Sequence, residues 1–397
     1  MNRKKDTKKV SVVTCGYYER TRVERSVRRS IDLLGGIGAF VSAGQKVFVK
    51  FNLLQGAAPE KCVTTHPEVV YAVAKVLKEH GCDVLLGDSP GSGIPYTKAN
   101  LQKAYAESGF ERIAQELGVP LNYDTGYRDV PAPEGKAMKQ FPVINPALDC
   151  DAVVVVSKVK THASLFISAA TKNLFGVIPG LEKPTYHARL QDPGSFAEML
   201  LDLNAVVRPK LQIMDAVYGM EGDGPFAGEP RKIGAILASG DYSAIDVAVC
   251  RLIAVDPRQS PTIAAAIGWG LLREDLSDVS LTGDNLNDLI VKDFKRPATY
   301  KGGLAIRRDP KSPFAQIIAL AKEYTLRPVI HGDICVVCLK CVRSCPVKTI
   351  ALVDNKPVID YTNCIRCYCC HEMCDSKAIT LERDEAAGKE LARLTGE

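Results

Sequence analysis

The sequence predicts an α/β fold with a doubly wound, mostly parallel sheet, followed by a small C-terminal α+β domain. Strand-length apolar stretches alternate with helix-length amphipathic stretches from the N-terminus onward, which is typical of βαβ units. The run at 152–156, AVVVV, is apolar throughout, as expected for a parallel strand buried on both faces. Nine of the 14 cysteines fall between Cys335 and Cys374, and this change in composition indicates a separate domain.

The first third of the chain supplies three strand–helix units. Strands are predicted at 10–15, 46–50 and 84–87, and the helices that follow them at 20–34, 67–80 and 98–117. The second helix begins at a capping box, Thr65-His66-Pro67-Glu68, and ends before Gly81. Residues 128–148 are rich in proline and lack helical periodicity, so a β insertion is predicted there.

The α/β pattern continues beyond this insertion. Strands are predicted at 152–156, 211–214 and 233–238, and helices at 196–207 and 242–253. Residues 258–325 are expected to be helix plus irregular chain, and Arg327-Pro328 marks the entry to the C-terminal domain. The predicted division is therefore 1–325 for the α/β domain, 326–385 for the small domain and 386–397 for a tail.

The cysteine-rich stretch is an internal duplication. It has the spacing C-x2-C-x2-C-x3-C at Cys335, Cys338, Cys341 and Cys345, and again 29 residues later at Cys364, Cys367, Cys370 and Cys374. Four thiolates so spaced suit a cubane iron–sulfur cluster, because three of them wrap one face and the fourth comes from elsewhere. Zinc sites use paired C-x2-C with longer gaps, and a disulfide framework would need an export signal that the N-terminus does not show.

Over about residues 326–385, the chain resembles the bacterial-type ferredoxins that carry two [4Fe-4S] clusters. The resemblance implies that the last cysteine of each motif ligates the other motif's cluster. The implied ligand sets are Cys335, Cys338 and Cys341 with Cys374, and Cys364, Cys367 and Cys370 with Cys345. Asp375 stands where the first motif has Pro346, and Cys369 is an extra thiol, interpreted as a spectator or alternatively as another ligand.

Composition argues against nucleic-acid and membrane partners. The formal charge of +5 falls to about +1 when two clusters are counted, because each oxidised site with its four thiolates adds about −2. No apolar run reaches the ~18 residues of a membrane span. Free thiols and low-potential clusters need a reducing compartment, so a cytoplasmic protein is expected.

Polar and charged residues follow four of the predicted strands, where a plain connection needs none. They are Lys50 and Asn52; Asp88 and Ser89; Lys158, Lys160 and His162; and Asp215 with Asp223, while His66, Lys172 and Asn173 are expected nearby. Because the carboxyl ends of parallel strands meet at one edge of a sheet, these side chains are expected to line a single ligand crevice.

The residue types in this crevice indicate an anionic ligand, a carboxylate or a phosphate. Lysines bind such groups, and the capping-box helix adds a positive N-terminal end. The predicted catalytic residues are His162, His66 and Lys160, with either histidine supplying a proton. The predicted ligand-binding residues are Lys50, Asn52, Asp88, Ser89, Lys158, Lys172, Asn173 and Asp223. Acidic residues of the same loops also offer oxygen ligands to a hard cation.

The crevice segments resemble a named family. The segments VKFN at 49–52, TTHPE at 64–68, GDSPG at 87–91, SKVKTH at 157–162, TKNLFGVIPG at 171–180 and EGDGP at 221–225 are similar to the domain-of-unknown-function family 362, over about residues 10–256. Members of that family often carry a C-terminal ferredoxin domain. The resemblance implies the domain layout and the choice of site loops, and it implies no particular activity.

Together these features favour an iron–sulfur oxidoreductase. It would relay electrons through two [4Fe-4S] clusters to a small anionic substrate in the crevice, with a soluble ferredoxin or a reductase as redox partner. One alternative is a non-enzymatic electron carrier or iron–sulfur cluster assembly factor. Another is a crevice racemase or lyase whose clusters are structural. Clusters passed intact to an acceptor protein would favour the first alternative, and turnover that survives replacement of Cys335 and Cys364 would favour the second.

Overall fold

The computed structural model describes residues 7–91, 94–298 and 326–383. In these ranges the strands are β1 (Lys8–Thr14), β2 (Lys46–Phe51), β3 (Asp83–Gly87), β4 (Tyr127–Pro131), β5 (Gln140–Ile144), β6 (Ala152–His162), β7 (Phe166–Ser168), β8 (Leu211–Glu221), β9 (Glu229–Ser239), β10 (Val279–Gly283), β11 (Arg327–Ile330), β12 (Ile350–Val353), β13 (Lys356–Ile359) and β14 (Ile379–Glu382). The helices are α1 (Arg20–Asp32), α2 (Pro67–Glu79), α3 (Lys98–Glu107), α4 (Phe110–Leu117), α5 (Asn145–Leu148), α6 (Ala170–Asn173), α7 (Lys183–Arg189), α8 (Pro193–Val207), α9 (Tyr242–Leu252), α10 (Pro261–Gly268), α11 (Lys340–Ser344) and α12 (Cys369–Glu372). Short 3-10 helices lie at Ile37–Ala39, Pro59–Lys61, Leu174–Val177, Gly180–Glu182, Pro257–Gln259 and Leu286–Leu289.

The central sheet has eight strands in the described part of the chain. Its order is β10-β1-β9-β8-β6-β2-β3, and β7 pairs with the end of β6. Strands β1, β2, β3, β6, β8 and β10 run in one direction, while β9 is antiparallel to both of its neighbours. The predicted α/β class with a mostly parallel sheet is confirmed.

Helices cover both faces of this sheet. Val154 and Val156 of β6 pack into a core with α1, α2, α3 and α4, whereas Val153 and Val155 pack into a second core with α8. Burying a valine side chain is worth roughly 1.5 kcal/mol or more, so the apolar run of β6 holds the two layers of helices to the sheet. Across the described residues, every helix falls short of the length and hydrophobicity that a bilayer crossing requires.

Two central strands are longer than the sequence pattern predicted. Strand β6 continues to His162 and β8 to Glu221, whereas their apolar runs end at Val156 and Met214. They continue because β7 supplies backbone partners to the end of β6, and β9 pairs along β8 as far as Glu221. The segment predicted as a polar exit loop at 157–162 is therefore a fully buried strand end.

The structure also differs from the predicted elements at one helix and at one edge of the sheet. The single helix expected at 98–117 is two helices, because Gly109 adopts a left-handed conformation (φ 76°) between α3 and α4. The region after residue 258 contains α10 and the edge strand β10, which had no recognisable apolar run. Residues 299–325, including the predicted domain boundary, and the predicted tail at 386–397 lie outside the described residues.

The proline-rich segment at 127–144 is an antiparallel hairpin, β4 and β5. A buried carboxylate, Asp202 of α8, accepts hydrogen bonds from the backbone N–H groups of Lys136, Ala137 and Met138 at 2.7–2.9 Å. This contact anchors the hairpin loop to the face of the sheet that α8 covers.

The C-terminal domain repeats its elements every 29 residues. Strands β11 and β13 are separated by this interval, as are β12 and β14, and α11 and α12. The strands are exchanged between repeats, because β11 pairs with β14 and β12 with β13. Each small sheet thus takes one strand from each repeat, and the two halves cannot separate without losing both sheets.

Candidate functional site

The carboxyl ends of the parallel strands meet at one edge of the sheet, where open α/β proteins bind their ligands. The structure brings together here the polar residues that follow β2, β3, β6 and β8. It adds Tyr18, which follows β1. Lys50, Lys158 and Lys160 are among the largest fully buried side chains of the protein. This edge is therefore a packed polar core, in which two of the lysines, Lys50 and Lys158, are paired with buried aspartates.

Lys50 and Asp88 form a buried ion pair between the ends of β2 and β3. Their Nζ and Oδ1 atoms are 2.8 Å apart, and Lys50 Nζ also donates to Asn173 Oδ1 at 3.1 Å. Asp88 Oδ2 accepts from the Leu53 backbone N–H at 2.8 Å. Burial lowers the pKa of Lys50, and the Asp88 carboxylate opposes that shift. A methyl group at Gly176 would overlap both charged groups, so this glycine closes directly over the pair.

Lys160 belongs to a neighbouring hydrogen-bonded chain. Its Nζ donates to Asn52 Oδ1 at 2.6 Å and to the Val63 carbonyl at 2.7 Å. Asn52 Nδ2 in turn donates to Asn173 Oδ1 at 3.1 Å. Burial, followed by the nearby charges of Lys172 and Lys158, lowers the pKa of Lys160 to about 7. Lys160 can therefore hold or release a proton at Nζ near neutral pH.

Lys158 and Asp215 form a second buried ion pair, with Nζ 3.0 Å from Oδ2. Tyr18 Oη lies between them, accepting from Lys158 Nζ at 2.6 Å and donating to Asp215 Oδ1 at 2.7 Å. Asp215 Oδ2 also accepts the backbone N–H of His66 at 3.0 Å, and the His66 ring stacks on Tyr18 at 3.6 Å between centroids. One carboxylate thus ties β8 to β6 and to the chain segments that lead into α1 and α2.

His66 and His162 are both neutral near pH 7. Burial lowers the pKa of His66 to about 4, and it also lowers the pKa of His162. His66 Nδ1 accepts the Glu68 N–H as the cap of α2, and His162 Nδ1 accepts the N–H groups of Ser164 and Leu165. Each ring therefore carries its proton on Nε2. Both histidines can donate a hydrogen bond at Nε2, and neither supplies a positive charge.

This burial of neutral histidines predicts acid sensitivity. Burial lowers the pKa of His66 to about 4 and that of His187 to about 3, against 6.5 for an exposed histidine. At these two histidines the unfolded chain therefore binds more protons than the folded one below about pH 6.5, and the stability that they contribute should be lost as the pH drops from there toward 4. Burial raises the pKa of Asp246 to about 7, and this carboxyl acts in the opposite direction over the same range. Urea unfolding followed by the fluorescence of Trp269, the only tryptophan, measures this dependence. His187→Phe, which can keep the stacking on Phe196, should lose less stability than the wild type between pH 6.5 and 4.5, and the same pH dependence of the urea midpoint in both proteins would contradict the prediction.

The other predicted ligand-binding residues lie at the margins of this core. Ser89 Oγ donates to the Gly176 carbonyl at 2.7 Å. Lys183, which is not in the predicted set, lies beside Ser89 and donates from Nζ to the Pro90 carbonyl at 2.6 Å. Asp223 accepts the Ala298 N–H at 2.7 Å. Within the described residues, none of the acidic groups of these loops joins a cluster of three potential metal ligands.

Lys172 differs from the buried lysines. Its ammonium lies over the rings of Phe175 and Phe196, at 4.5 and 5.5 Å from their centroids. It makes no hydrogen bond or ion pair to any other described residue. Burial lowers the pKa of Lys172 to about 8, with the Glu372 carboxyl opposing that shift, so most of it is protonated at pH 7. Lys172 is therefore a half-buried cation with unused hydrogen-bonding capacity among the described residues.

The C-terminal domain packs against this edge through α12. Glu372 Oε1 of α12 is 3.4 Å from His162 Nε2 at the end of β6, and both side chains are buried. Cys370, a predicted cluster ligand, lies two residues before Glu372. The structure thus places the second cysteine motif directly beside the strand ends.

The contacts of the second repeat with the α/β domain lie at positions where it differs from the first repeat, and Lys340 of the first repeat also donates to Gln55 Oε1 at 3.1 Å. Cys369, His371, Glu372 and Asp375 replace Lys340, Val342, Arg343 and Pro346 of the first repeat. Asp375 Oδ1 accepts from Gln55 Nε2 at 2.5 Å, Cys369 and Glu372 interact with Lys172, and His371 interacts with Asp223. The absence of proline after the last cysteine is thereby explained, because Asp375 is needed for the contact with the α/β domain.

The surroundings of the motif cysteines are compatible with the two predicted sets, although within the described residues no three of their thiols are close enough together to form a preformed metal site. After burial, the charges that raise the pKa of Cys341 to about 11 are those of Cys338, Cys335 and Cys374. For Cys364 the neighbouring thiols are those of Cys367 and Cys345, and for Cys370 they are mainly those of Cys367 and Cys364. A cavity is lined by all four cysteines of the first set. The arrangement fits two cubane clusters that each take their fourth ligand from the other motif.

The backbone around the cysteines is shaped in the same way in both repeats. Val337, Leu339 and Lys348 are left-handed, with φ of 53°, 60° and 54°, and so are the residues 29 positions later, Arg366, Tyr368 and Lys377. These uncommon conformations turn the chain so that consecutive cysteines face the same side. The N–H groups of Thr349 and Ala378 also point at Cys345 Sγ and Cys374 Sγ, at 3.3 and 3.2 Å.

Comparison with family models assigns both parts of the chain. Residues 47–251, just over half of the 397, match a domain of unknown function, DUF362, and residues 327–375 match a 4Fe-4S dicluster domain. The chain belongs to the DUF362 family. The resemblances found in the sequence motifs are confirmed for both domains.

A curated relative of this DUF362 protein is the thylakoid-associated protein sll1697 of Synechocystis sp. It is 33% identical over 291 residues, which are 73% of this chain and 88% of the relative. Similar solved structures include the lactate racemase apoprotein of Thermoanaerobacterium thermosaccharolyticum (12% identity, TM-score 0.36, 61% of this chain and 56% of that one). A Thermotoga maritima protein is similar at 14% identity, with a TM-score of 0.34 and 55% coverage of each chain. This chain thus spans just over half the length of both structures.

Sequence patterns missed three residues of the site in this DUF362 member. Tyr18 follows the first predicted strand, so the rule that found the polar residues after the four other strands could have found it as well. Glu372 and Gln55 had weaker signals. The loss of repeat symmetry at Glu372 was visible in the sequence, but Gln55 acquires its role only through contact with Asp375.

Proposed function

We propose that this protein is an iron–sulfur oxidoreductase that reduces or oxidises a small anionic substrate, a carboxylate or a phosphate, at the strand-end edge. The observation that supports this most strongly is the position of α12, which carries Cys370 and packs Glu372 against His162. Clusters held by the two cysteine sets supply one-electron transfer. If the C-terminal domain acted only as a soluble electron carrier, its packing over the polar core of the α/β domain would have no function.

The chain's own residues have distinct roles in this proposal. Lys172 binds the anionic group, because its ammonium has no hydrogen-bonding partner among the described residues. His162 donates a hydrogen bond from Nε2, and Lys160 exchanges a proton at Nζ, since its pKa is about 7. The pairs Lys50–Asp88 and Lys158–Asp215 hold these groups in place in a part of the molecule from which water is excluded.

The proposal extends to the cellular setting. Clusters of this type and unpaired thiols persist in a reducing compartment, which supports the cytoplasm or an equivalent space.

Replacement of Lys172 tests the proposed anion site. The dithionite-reduced protein is mixed anaerobically with a panel of small carboxylates and phosphates, and cluster oxidation is followed by visible absorbance. At least one compound should oxidise the wild-type protein, and Lys172→Gln should slow that reaction by about tenfold to a hundredfold, the usual value of a charge-assisted contact. Lys103→Gln, at an exposed lysine on α3, is the matched control and should behave as wild type.

Two outcomes would contradict this proposal. If no compound in the panel accelerates oxidation, the protein is an electron carrier or a cluster assembly factor. If a compound is converted while the clusters stay reduced, and conversion survives Cys364→Ala, the crevice is that of a racemase or lyase with structural clusters.

A further inference from the structure

Helix α12 brings an unpartnered carboxyl oxygen to the strand-end edge. Glu372 is only 6% exposed, and its Oε1 atom makes no hydrogen bond within the described part of the chain. His162 Nε2 is 3.4 Å from this oxygen but lies outside hydrogen-bonding geometry. Buried polar atoms in folded proteins are almost always hydrogen-bonded, so an unpartnered one indicates a missing partner such as water or a bound ligand.

The unpartnered groups of the two domains lie close together. Cys369 and Glu372 are three residues apart on α12, which places them on one face of the helix, and both are near enough for their charges to act on Lys172. The Lys172 ammonium has no hydrogen bond or ion pair to another described residue. Lys172 is also half-buried, whereas Lys160 is fully buried. A small ligand can therefore reach this place from the side of Lys172.

The first repeat has no counterpart of this arrangement in the described residues. Arg343, which is exposed, stands at the position of Glu372, and it donates from Nη2 to the Cys338 carbonyl at 3.2 Å. Lys340 stands at the position of Cys369 and is paired with Asp375. Because the two motifs have the same cysteine spacing but differ here, cluster binding does not by itself require a carboxyl group at position 372.

The charges around the strand ends limit the charge of a ligand. Five lysines and two aspartates lie in the polar core or at its margin. They are Lys50, Lys158, Lys160, Lys172 and Lys183, with Asp88 and Asp215. Their excess is at most three positive charges, and an oxidised cluster beside α12, with its four thiolates, offsets about two of these. The nearby carboxyl groups of Glu372 and Asp246 lower the remainder further when they are ionised. The region can thus neutralise a monocarboxylate, but not a phosphate dianion.

The groups beside Lys172 also select what the ligand carries besides its carboxylate. His162 holds its proton on Nε2, because Nδ1 accepts two backbone N–H groups. The carboxyl group of Glu372 keeps an acceptor oxygen whether or not it is protonated. A hydroxyl group can accept from His162 Nε2 and donate to Glu372 Oε1 at the same time, whereas a methyl group can do neither.

We propose that α12 completes the ligand site and that the ligand is a small monocarboxylate with a hydroxyl group. Lys172 binds the carboxylate, and His162 and Glu372 bind the hydroxyl. This inference rests on the proposed function and names the class of its anionic substrate. It also makes Glu372 a ligand-binding residue that the C-terminal domain contributes to a site in the α/β domain.

The binding of two matched probes tests this site. Glycolate and acetate, which differ by one hydroxyl group, are titrated separately into the anaerobic, cluster-loaded full chain at pH 7, and calorimetry gives each dissociation constant. Glycolate should bind about tenfold more tightly than acetate, the usual value of a hydrogen bond to a buried polar group. Inorganic phosphate should bind more weakly than glycolate, because it carries more negative charge at this pH.

Four variants separate the two ends of the ligand. Lys172→Gln should weaken glycolate and acetate by the same factor, because both need the ammonium. Glu372→Ala should reduce the preference for glycolate to about twofold or less, whereas Glu372→Gln, which keeps an acceptor oxygen, should retain most of it. Arg343→Ala, at the equivalent position of the first repeat, is the matched control and should bind both probes as the wild type does.

Equal binding of glycolate and acetate by the wild type, or no binding of glycolate, would overturn the proposal. So would tighter binding of phosphate than of glycolate, or a preference for glycolate that survives in Glu372→Ala. Each variant is compared at wild-type iron content, and Glu372→Met, which fills a similar volume, replaces Glu372→Ala if that variant loses iron.

This test and that of the proposed function can fail separately. If glycolate is preferred through Glu372 but no hydroxycarboxylate changes the redox state of the clusters, the ligand site stands and the oxidoreductase fails. If the clusters react with small anions but the protein shows no preference for the hydroxyl group, the proposed function stands and this inference fails.

Discussion

Replacing Cys345 with alanine is expected to destroy the cluster assigned to the second cysteine motif while largely sparing that of the first motif. The reason is the exchange between repeats, because Cys345 lies with Cys364 and Cys367 although it belongs to the first motif. The exchanged pairing of β11 with β14 and of β12 with β13 supports the same arrangement. A cubane with three ligands is labile, so about four of an expected eight irons should be lost.

Iron and sulfide analysis of anaerobically purified protein, followed by reductive titration under EPR, measures this loss. Cys374→Ala should show the reciprocal pattern, with damage to the cluster of the first motif. Cys369→Ala is the control and should keep its full iron content, because both ligand sets are complete without it. Loss of the first motif's cluster in Cys345→Ala would show that each motif ligates only itself, and iron loss in Cys369→Ala would make this thiol a ligand.

Asp215→Ala is expected to destabilise the α/β domain by about 3–5 kcal/mol, the usual cost of leaving one partner of a buried ion pair without the other. Lys158 and Asp215 are both fully buried, so the ammonium would lose its counter-ion where water cannot replace it. The Tyr18 hydroxyl and the backbone N–H of His66 would lose the carboxylate that accepts their hydrogen bonds. The effect is therefore far larger than that of an average surface substitution.

Urea unfolding followed by Trp269 fluorescence measures the change, because this residue packs on the core of the α/β domain. The matched control is Glu79→Ala, which breaks the exposed pair of Arg28 and Glu79, whose side chains are each 47% exposed. That change should cost less than about 1 kcal/mol. Similar losses in both variants would mean that Asp215 is not a buried structural charge, and the description of the polar core would need revision.

Much of the fold follows from patterns in the chain. The run at 152–156 predicted a strand buried on both faces, and it lies near the middle of the sheet with cores on each side. The repeat of 29 residues predicted two equivalent halves, and it extends to the strands, the helices and the left-handed residues. These predictions succeed because hydrophobic periodicity and ligand spacing are local properties of the sequence.

Local sequence patterns did not predict the conformation of the strand ends. Lys158, Lys160 and His162 were predicted to lie in an exit loop because charged residues seldom occupy buried strands. They do so here because Asp215 and Asn52, both distant in sequence, satisfy the charge of Lys158 and the hydrogen bonds of Lys160. The short strand β7, four residues further along the chain, supplies backbone partners to the same strand end. No local pattern encodes a partner that lies tens of residues away.

The sequence by itself determined the fold class, the two cysteine motifs and the edge of the sheet at which polar residues gather. Only the tertiary structure decided which of those polar groups are already paired, that Lys172 keeps unused hydrogen-bonding capacity among the described residues, and that α12 covers the site. The physical reason is that spacing and periodicity are set along the chain, whereas burial and charge pairing depend on contacts between distant segments. Those contacts change buried lysines and histidines from free charges into neutral or ion-paired groups.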